Sequence, residues 1–122
     1  MADFRKLVVW QRAHELNLRV CRIASGIRGA THTSLRSQMV RAAGSIPANI
    51  VEGRDQRTDR QFARYLRISA NSSSELEYHL LTARDLGAIS DRDFDSLVAE
   101  LKEIRRMLYG LIRTLEKAPQ TL

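Results

Sequence analysis

The sequence predicts an all-α protein, an antiparallel up-down-up-down four-helix bundle with a proline-kinked second helix. Only six of its 122 residues are glycine and two are proline. Four long segments carry apolar residues at alternating steps of three and four, the spacing of one helical face. The connections between them are short, which favours antiparallel neighbours. With 43% hydrophobic residues, the chain is expected to form a single domain over residues 1–122 with its own core.

The first helix is predicted from about Leu7 to Ser25, and a connection rich in glycine and threonine follows over Gly26 to Thr33. The second helix is predicted from Ser34, as its N-cap, to about Gly53. Both helices have one apolar stripe. These stripes comprise Val9, Ala13, Leu16, Val20, Ile23 and Ile27, and then Leu35, Met39, Ala42, Ile46 and Ile50.

Pro47 falls inside the predicted second helix. A proline there removes one backbone hydrogen bond, and its ring collides with the carbonyl four residues back, at a cost of roughly 3 kcal/mol. The carbonyl of Ala43 therefore needs another partner. The sequence predicts a bend at this position.

Two further helices complete the bundle. Thr58 and Gln61 form a capping box that opens the third, which runs to about Leu86 and stops at Gly87. Ser90 caps the fourth, which ends before Pro119. The third helix has serine in the middle of its seam, so a neighbouring helix can approach closely. The two seams are Phe62, Leu66, Ser69, Ser73, Leu76, Leu80 and Ala83, and then Phe94, Leu97, Leu101, Ile104, Leu108, Leu111 and Leu115.

Several apolar and aromatic residues lie off these seams. Some of them will widen the core stripe, but a bundle of this size rarely hides two faces of each helix. The remainder predicts an oligomer interface. The off-seam residues are Trp10, Leu18, Tyr65, Ile68, Tyr78, Leu81, Met107 and Ile112.

The net charge of +6 is unevenly distributed. Residues 1–73 hold 13 Lys and Arg against 5 Asp and Glu, whereas residues 74–122 hold 7 against 9. A basic half favours an anionic partner such as nucleic acid. The other interpretation is a codon bias, because 17 of the 20 basic residues are arginine.

Four arginines share one face of the third helix, at steps of three, four and three. Guanidinium groups in a row can bind phosphates bidentately, and Tyr65 among them could stack on a base. In the alternative interpretation the face is solvated, with Asp55 and Asp59 pairing locally. The candidate nucleic-acid-binding residues are Arg36, Arg41, Arg54, Arg57, Arg60, Arg64 and Arg67.

Residue patterns for metal binding are missing. A di-iron bundle uses Glu-x-x-His pairs, and no Glu stands three residues before His14, His32 or His79. Glu75 and His79 are four residues apart, but two ligands are too few for a metal cage. We expect no metal and no cofactor.

Residue patterns for catalysis are missing as well. Cys21 and His14 are two helical turns apart, about 10 Å, which is too far for a thiolate–imidazole pair. Arg28 and His32 are too close in sequence for the arginine–histidine pattern of helical ribonucleases, and there is no glycine-rich phosphate loop. The sequence predicts a protein that is not an enzyme.

A single cysteine, Cys21, suits a reducing compartment. The longest apolar run near the N-terminus, Leu7 to Trp10, is too short for a signal peptide or a membrane span. We expect a cytoplasmic protein without membrane contact.

Three segments resemble one known family. They are Phe4 to Ala13, Leu35 to Gly53 with its Ser-Ile-Pro-Ala-Asn-Ile core, and Phe62 to Leu66. The family is the bacterial four-helix-bundle proteins that include those encoded within 23S ribosomal RNA intervening sequences. The resemblance extends from residue 4 to about residue 117. One departure is at Asn71-Ser-Ser-Ser-Glu75, where the family tends to have a glycine before the serine.

The resemblance implies a cytosolic bundle that associates into a ring-like homo-oligomer, a pentamer, with no enzymatic activity. Its shape is similar to that of the basic accessory proteins of diversity-generating retroelements, which bind nucleic acid and a reverse transcriptase. For the motif of Ser45, Pro47, Asn49, Glu52 and Gly53 we expect a structural role. Asn49, Glu52 and Arg54 could form a polar cluster at a helix or subunit junction.

The functional hypothesis is therefore a non-catalytic homo-oligomeric scaffold that binds RNA or DNA through an arginine-rich surface. The alternative is a protein-binding adaptor with no nucleic-acid ligand, whose off-seam aromatic residues contact another protein.

Overall fold

The computed structural model describes residues 3–117. Within that range all regular structure is helical: α1 is Val8–Ser25, α2 is Thr33–Arg54, α3 is Asp59–Asp85 and α4 is Asp91–Lys117. Two single 3₁₀ turns, Phe4–Lys6 and Ala30–His32, precede α1 and α2. The prediction of an all-α, four-helix protein is confirmed. The predicted end of the fourth helix before Pro119 lies outside the described residues.

Most predicted helix ends agree with the structure. The Thr58 hydroxyl accepts a hydrogen bond from the Gln61 amide, 3.1 Å, and the Ser90 hydroxyl accepts one from the Asp93 amide, 3.0 Å. Gly87 follows α3 with a φ of 75°, the left-handed conformation in which glycine is favoured at helix C-termini.

The predicted N-cap of α2 is wrong. The helix begins one residue before Ser34, at Thr33, and its N-cap is His32, which makes no side-chain capping bond. The hydroxyl of Ser34 instead accepts a hydrogen bond from Gln38 one turn later. The 3₁₀ turn Ala30–His32 leads directly into the helix, and for that reason no polar cap residue is needed at position 34.

The predicted seams supply most of a single hydrophobic core. One correction concerns α4, where Ile112, predicted to lie off the seam, is buried at 1% exposure, whereas Leu111 and Leu115 are only partly buried. A straight α-helix drifts about 20° per heptad relative to a strict 3.5-residue repeat. The buried line therefore moves from position 111 to position 112 in the last turns.

Neighbouring helices contact each other in opposite sequence order, as antiparallel pairs would. Between α2 and α3, Ser45 meets Ser72 and the Ile46 carbonyl meets Ser69. Between α3 and α4, Arg67 pairs with Glu116 and Glu77 pairs with Arg105. Of all pairs, α2 and α3 have the most extensive contact, whereas α1 and α4 have the least of the four neighbouring pairs.

Pro47 is buried inside α2, and the helix continues on both sides of it from Thr33 to Arg54. The predicted bend at Pro47 stays a prediction. Within the described residues, no helix combines the length and the apolar character that crossing a membrane requires.

Candidate nucleic-acid interface

We call four arginines the arginine row: Arg57, just before α3, and Arg60, Arg64 and Arg67, in the first half of α3. All four are exposed to solvent. Phe62, Ala63 and Leu66, which alternate with them, are buried in the core. Because the apolar stripe of α3 packs into the core, the arginines on the opposite side of the helix face the solvent.

Arg60, Arg64 and Arg67 line one open cleft together with Gln61 and Glu116. The cleft has a volume of about 360 Å³. Arg67 donates from Nη2 to both carboxylate oxygens of Glu116 on α4, at 2.7 Å each. This ion pair raises the pKa of Arg67, with the neighbouring Tyr109 as a smaller contribution.

Within residues 3–117, no ion pair connects Arg57, Arg60 or Arg64 to a carboxylate. Asp55 and Asp59, which are close to these arginines in sequence, are themselves exposed and make none either. The side chains of the row therefore keep donors that an anion can use.

The remaining candidate arginines make other contacts. Arg54, at the end of α2, has its guanidinium carbon 5.7 Å from the centre of the Phe62 ring. Arg36 donates from Nη1 to the carbonyls of Ile27 and Gly29, at 3.0 and 3.1 Å, and from Nη2 to the Thr33 hydroxyl. Arg36 thus bonds the connection before α2, where carbonyls lack helical partners.

Arg41 is exposed on α2 and lines a second groove, between α2 and α3, with Gln38, Ser45, Glu75 and His79. The groove has a volume of about 320 Å³. Its two charged groups of opposite sign, Arg41 and Glu75, make it close to neutral, in contrast with the row. Within the described part of the chain, no group of three His, Cys, Asp or Glu residues is placed to hold a metal ion.

The motif around Pro47 faces α3. The Ser45 hydroxyl is 2.8 Å from the Ser72 hydroxyl and accepts from the Asn49 side-chain amide at 2.9 Å. Asn49 also donates to the Ser45 carbonyl. In the buried interface beside them, Ser69 donates to the carbonyl of Ile46 at 2.8 Å. Asn49 thus bonds Ser45, and Ser45 in turn contacts Ser72 on α3, a residue that sequence reasoning had not singled out.

The other motif residues lie further along α2. Glu52 is exposed, and its carbonyl accepts a hydrogen bond from the Gln56 side chain. Gly53 is buried where α2 approaches the start of α3: a Cβ on it would lie 2.8 Å from Phe62 Cδ1 and 2.8 Å from Tyr65 Cβ. Only a glycine leaves room for the two helices at that distance.

The family model described as 23S rRNA-intervening sequence protein matches residues 5–110. A similar solved structure is a protein with unknown function from the S23 ribosomal protein family of Bacteroides thetaiotaomicron. It is 24% identical in sequence, covers 86% of this chain and 98% of its own, and superposes with a TM-score of 0.80. At that identity the likeness shows the fold alone. No curated protein matches the sequence. Because the family model covers most of the chain, the resemblance seen in the sequence is confirmed, and the protein belongs to the 23S rRNA-intervening sequence protein family.

Proposed function

We propose that this protein is a non-catalytic, homo-oligomeric scaffold that binds RNA or DNA through the arginine row. The observation that carries the proposal is the exposure of Arg57, Arg60 and Arg64 with no acidic partner among the described residues. Cationic side chains in this state release counterions from a phosphate backbone when they bind it, which is the main source of non-specific nucleic-acid affinity.

The spacing of the row supports the same proposal. From Arg60 to Arg67 the helix rises about 10.5 Å, which is long enough for more than one phosphate, and Arg57 extends the row beyond the start of α3. Each guanidinium has five N–H donors in a planar fork and can bind one phosphate with two hydrogen bonds. No base-reading geometry is needed for this mode of binding, so we expect weak sequence preference.

Salt dependence tests this proposal. For the wild-type protein, the affinity for a fluorescein-labelled oligonucleotide should fall steeply between about 50 mM and about 200 mM salt. The triple variant Arg57→Gln, Arg60→Gln, Arg64→Gln should make the slope of log affinity against log salt concentration less steep by about 2. Each lost phosphate contact reduces the magnitude of that slope by about 0.7 on a single strand. Fluorescence anisotropy measures both.

The control is a second triple variant with the same change in charge, Arg22→Gln, Arg28→Gln, Arg92→Gln. These three arginines are also exposed and lie on α1, on the connection after it and on α4. The control should retain the slope of the wild type. Equal slopes for both variants would contradict the role of the row. Absence of binding at about 50 mM salt would contradict nucleic-acid binding itself and favour the adaptor function.

Self-association is the second part of the proposal. Leu18 is 38% and Val40 is 37% exposed. Val40 lines an open groove between α1 and α2, with Cys21 and Ala24 across from it, and the groove has a volume of about 350 Å³. Its exposed area is mainly apolar, and its rim carries four polar side chains, those of Ser25, Arg36, Ser37 and Arg41. Leu18 lies one turn before Cys21 on the same face of α1. We propose that this groove is where a second copy of the chain packs.

Native mass tests self-association. Five copies of a 13.9 kDa chain would give a particle of about 70 kDa, and light scattering at micromolar concentration should find it. Val40→Arg adds a third cation beside Arg36 and Arg41 in the groove and should shift the protein toward monomer. Leu86→Arg, at a side chain 59% exposed just after α3, is the matched control and should leave the mass unchanged. A monomeric wild type would contradict the oligomer, and an unchanged Val40→Arg would contradict the groove.

A further inference from the structure

Tyr109 is a feature of the basic surface that sequence reasoning did not identify. It lies on α4 and is 38% exposed. On the same helix, Arg105 contacts Ser73 of α3 and Glu116 contacts Arg67 of α3. Tyr109 lies between those two contacts, and it is therefore level with the part of α3 that directly follows Arg67.

Tyr109 lies two helical turns before Glu116 on the same face of α4, and Glu116 binds Arg67, so the phenol is on the side of α4 that meets Arg67. On the outer surface of the molecule, the ring of Tyr109 therefore follows the guanidinium groups of Arg60, Arg64 and Arg67. An aromatic ring next to cations is the combination by which proteins hold single strands, since phosphates meet the cations and a base stacks on the ring.

The packing of α3 argues against a duplex as the ligand. Because α3 has α2 packed on one side and α4 on the other, only its outward stripe is open to a ligand, and the paired bases of a duplex are stacked on one another and leave no base face for Tyr109. A duplex would touch only the outer ends of the arginines, and its paired bases would not reach Tyr109.

We propose that this surface binds an unpaired nucleic-acid strand, with phosphates on Arg60, Arg64 and Arg67 and one base stacked on Tyr109. The inference rests on the proposed function and names its ligand more closely. The phosphates and the base faces are common to RNA and DNA, so a single strand of either type should bind.

Three variants and two forms of ligand test the inference. The ligands are an oligouridylate and an oligothymidylate of about 12 nucleotides, and each is used alone and paired with its complement. Tyr109→Ala should weaken single-strand binding about 5-fold or more, the lower range for the loss of one stacked base. Tyr109→Phe keeps the ring and should bind like the wild type.

Tyr78→Ala is the matched control. Tyr78 is 65% exposed on α3, about 16 Å along the helix from Arg67, and it lines a different cleft with Glu77. Its removal should leave the affinity unchanged. For the wild type, each single strand should bind more tightly than its duplex at equal salt concentration.

Two results would overturn the inference: wild-type affinity in Tyr109→Ala, or a duplex bound as tightly as the single strand. Either result is compatible with binding through the arginines, which the salt slopes of the triple variants measure separately. A failure of the stacking site is therefore distinguishable from a failure of the proposed function.

Discussion

Gly53→Ala is expected to lower the free energy of unfolding by about 1–3 kcal/mol, the range for overpacking a tight contact. The added Cβ would lie 2.8 Å from Phe62 Cδ1 and from Tyr65 Cβ, and 3.2 Å from the Phe62 carbonyl oxygen. Two of these three atoms belong to the start of a side chain or to the backbone, so rotamer changes alone cannot make room. The end of α2 has to move away from the start of α3. Urea denaturation followed by far-UV circular dichroism measures the loss.

Gly44→Ala in the same helix is the control. There the nearest atom to the added Cβ is Asn17 Oδ1 at 3.6 Å, an ordinary contact. Replacing a helical glycine by alanine stabilises a helix by up to about 1 kcal/mol. The two substitutions should therefore have opposite signs. Equal stability of both variants would show that α2 and α3 do not meet as closely as the structure places them. All variants are compared at one protein concentration, because self-association contributes to apparent stability.

Ser69→Val should destabilise the protein by about 2 kcal/mol or more. Ser69 is fully buried, and its hydroxyl donates to the Ile46 carbonyl across the helix interface at 2.8 Å. Valine loses this hydrogen bond, worth about 1 kcal/mol net. A valine methyl in the position of the hydroxyl would need about 3.3 Å or more from that oxygen, so α2 and α3 would also be forced apart.

Two controls separate the contributions. Ser69→Ala removes the hydrogen bond without adding volume and should cost about 1 kcal/mol. Ser74→Val places the same β-branched side chain on the exposed side of α3 and should leave the stability nearly unchanged, because serine and valine have nearly equal helix propensities. If Ser69→Val costs no more than Ser74→Val, the small residue at position 69 is not needed for the approach of α2.

Local signals in the sequence were sufficient for the fold class and most helix ends. The helix caps at Thr58 and Ser90 and the glycine at position 87 act within four residues of the helix end that they determine, so the sequence alone contains their partners. The burial of Ile112 in place of Leu111 depends on the drift of a straight helix against its neighbours. A strict seven-residue repeat ignores this drift, so the repeat alone could not predict that Ile112 would be buried instead of Leu111.

The candidate site was less accessible from the sequence. The spacing of Arg60, Arg64 and Arg67 correctly placed them on one exposed face, but the ion pair with Glu116 joins residues 49 positions apart. The local role of Arg36 depends on which carbonyls the connection leaves unbonded. Tyr109 could have been noticed as an aromatic residue seven positions before Glu116, on the same face of α4. Only the packing of α4 on α3 brings it to the arginine row.

The close contact between α2 and α3 has a consequence for how the arginine row would recognise a ligand. Ser69 and Gly53 hold two long helices at short range, and within residues 3–117 no buried side-chain nitrogen or oxygen lacks a hydrogen-bond partner. The backbone beneath the row is therefore preorganised. On binding a ligand, the protein would then lose conformational entropy mainly in the guanidinium side chains, because the helix backbone that spaces them would not have to rearrange.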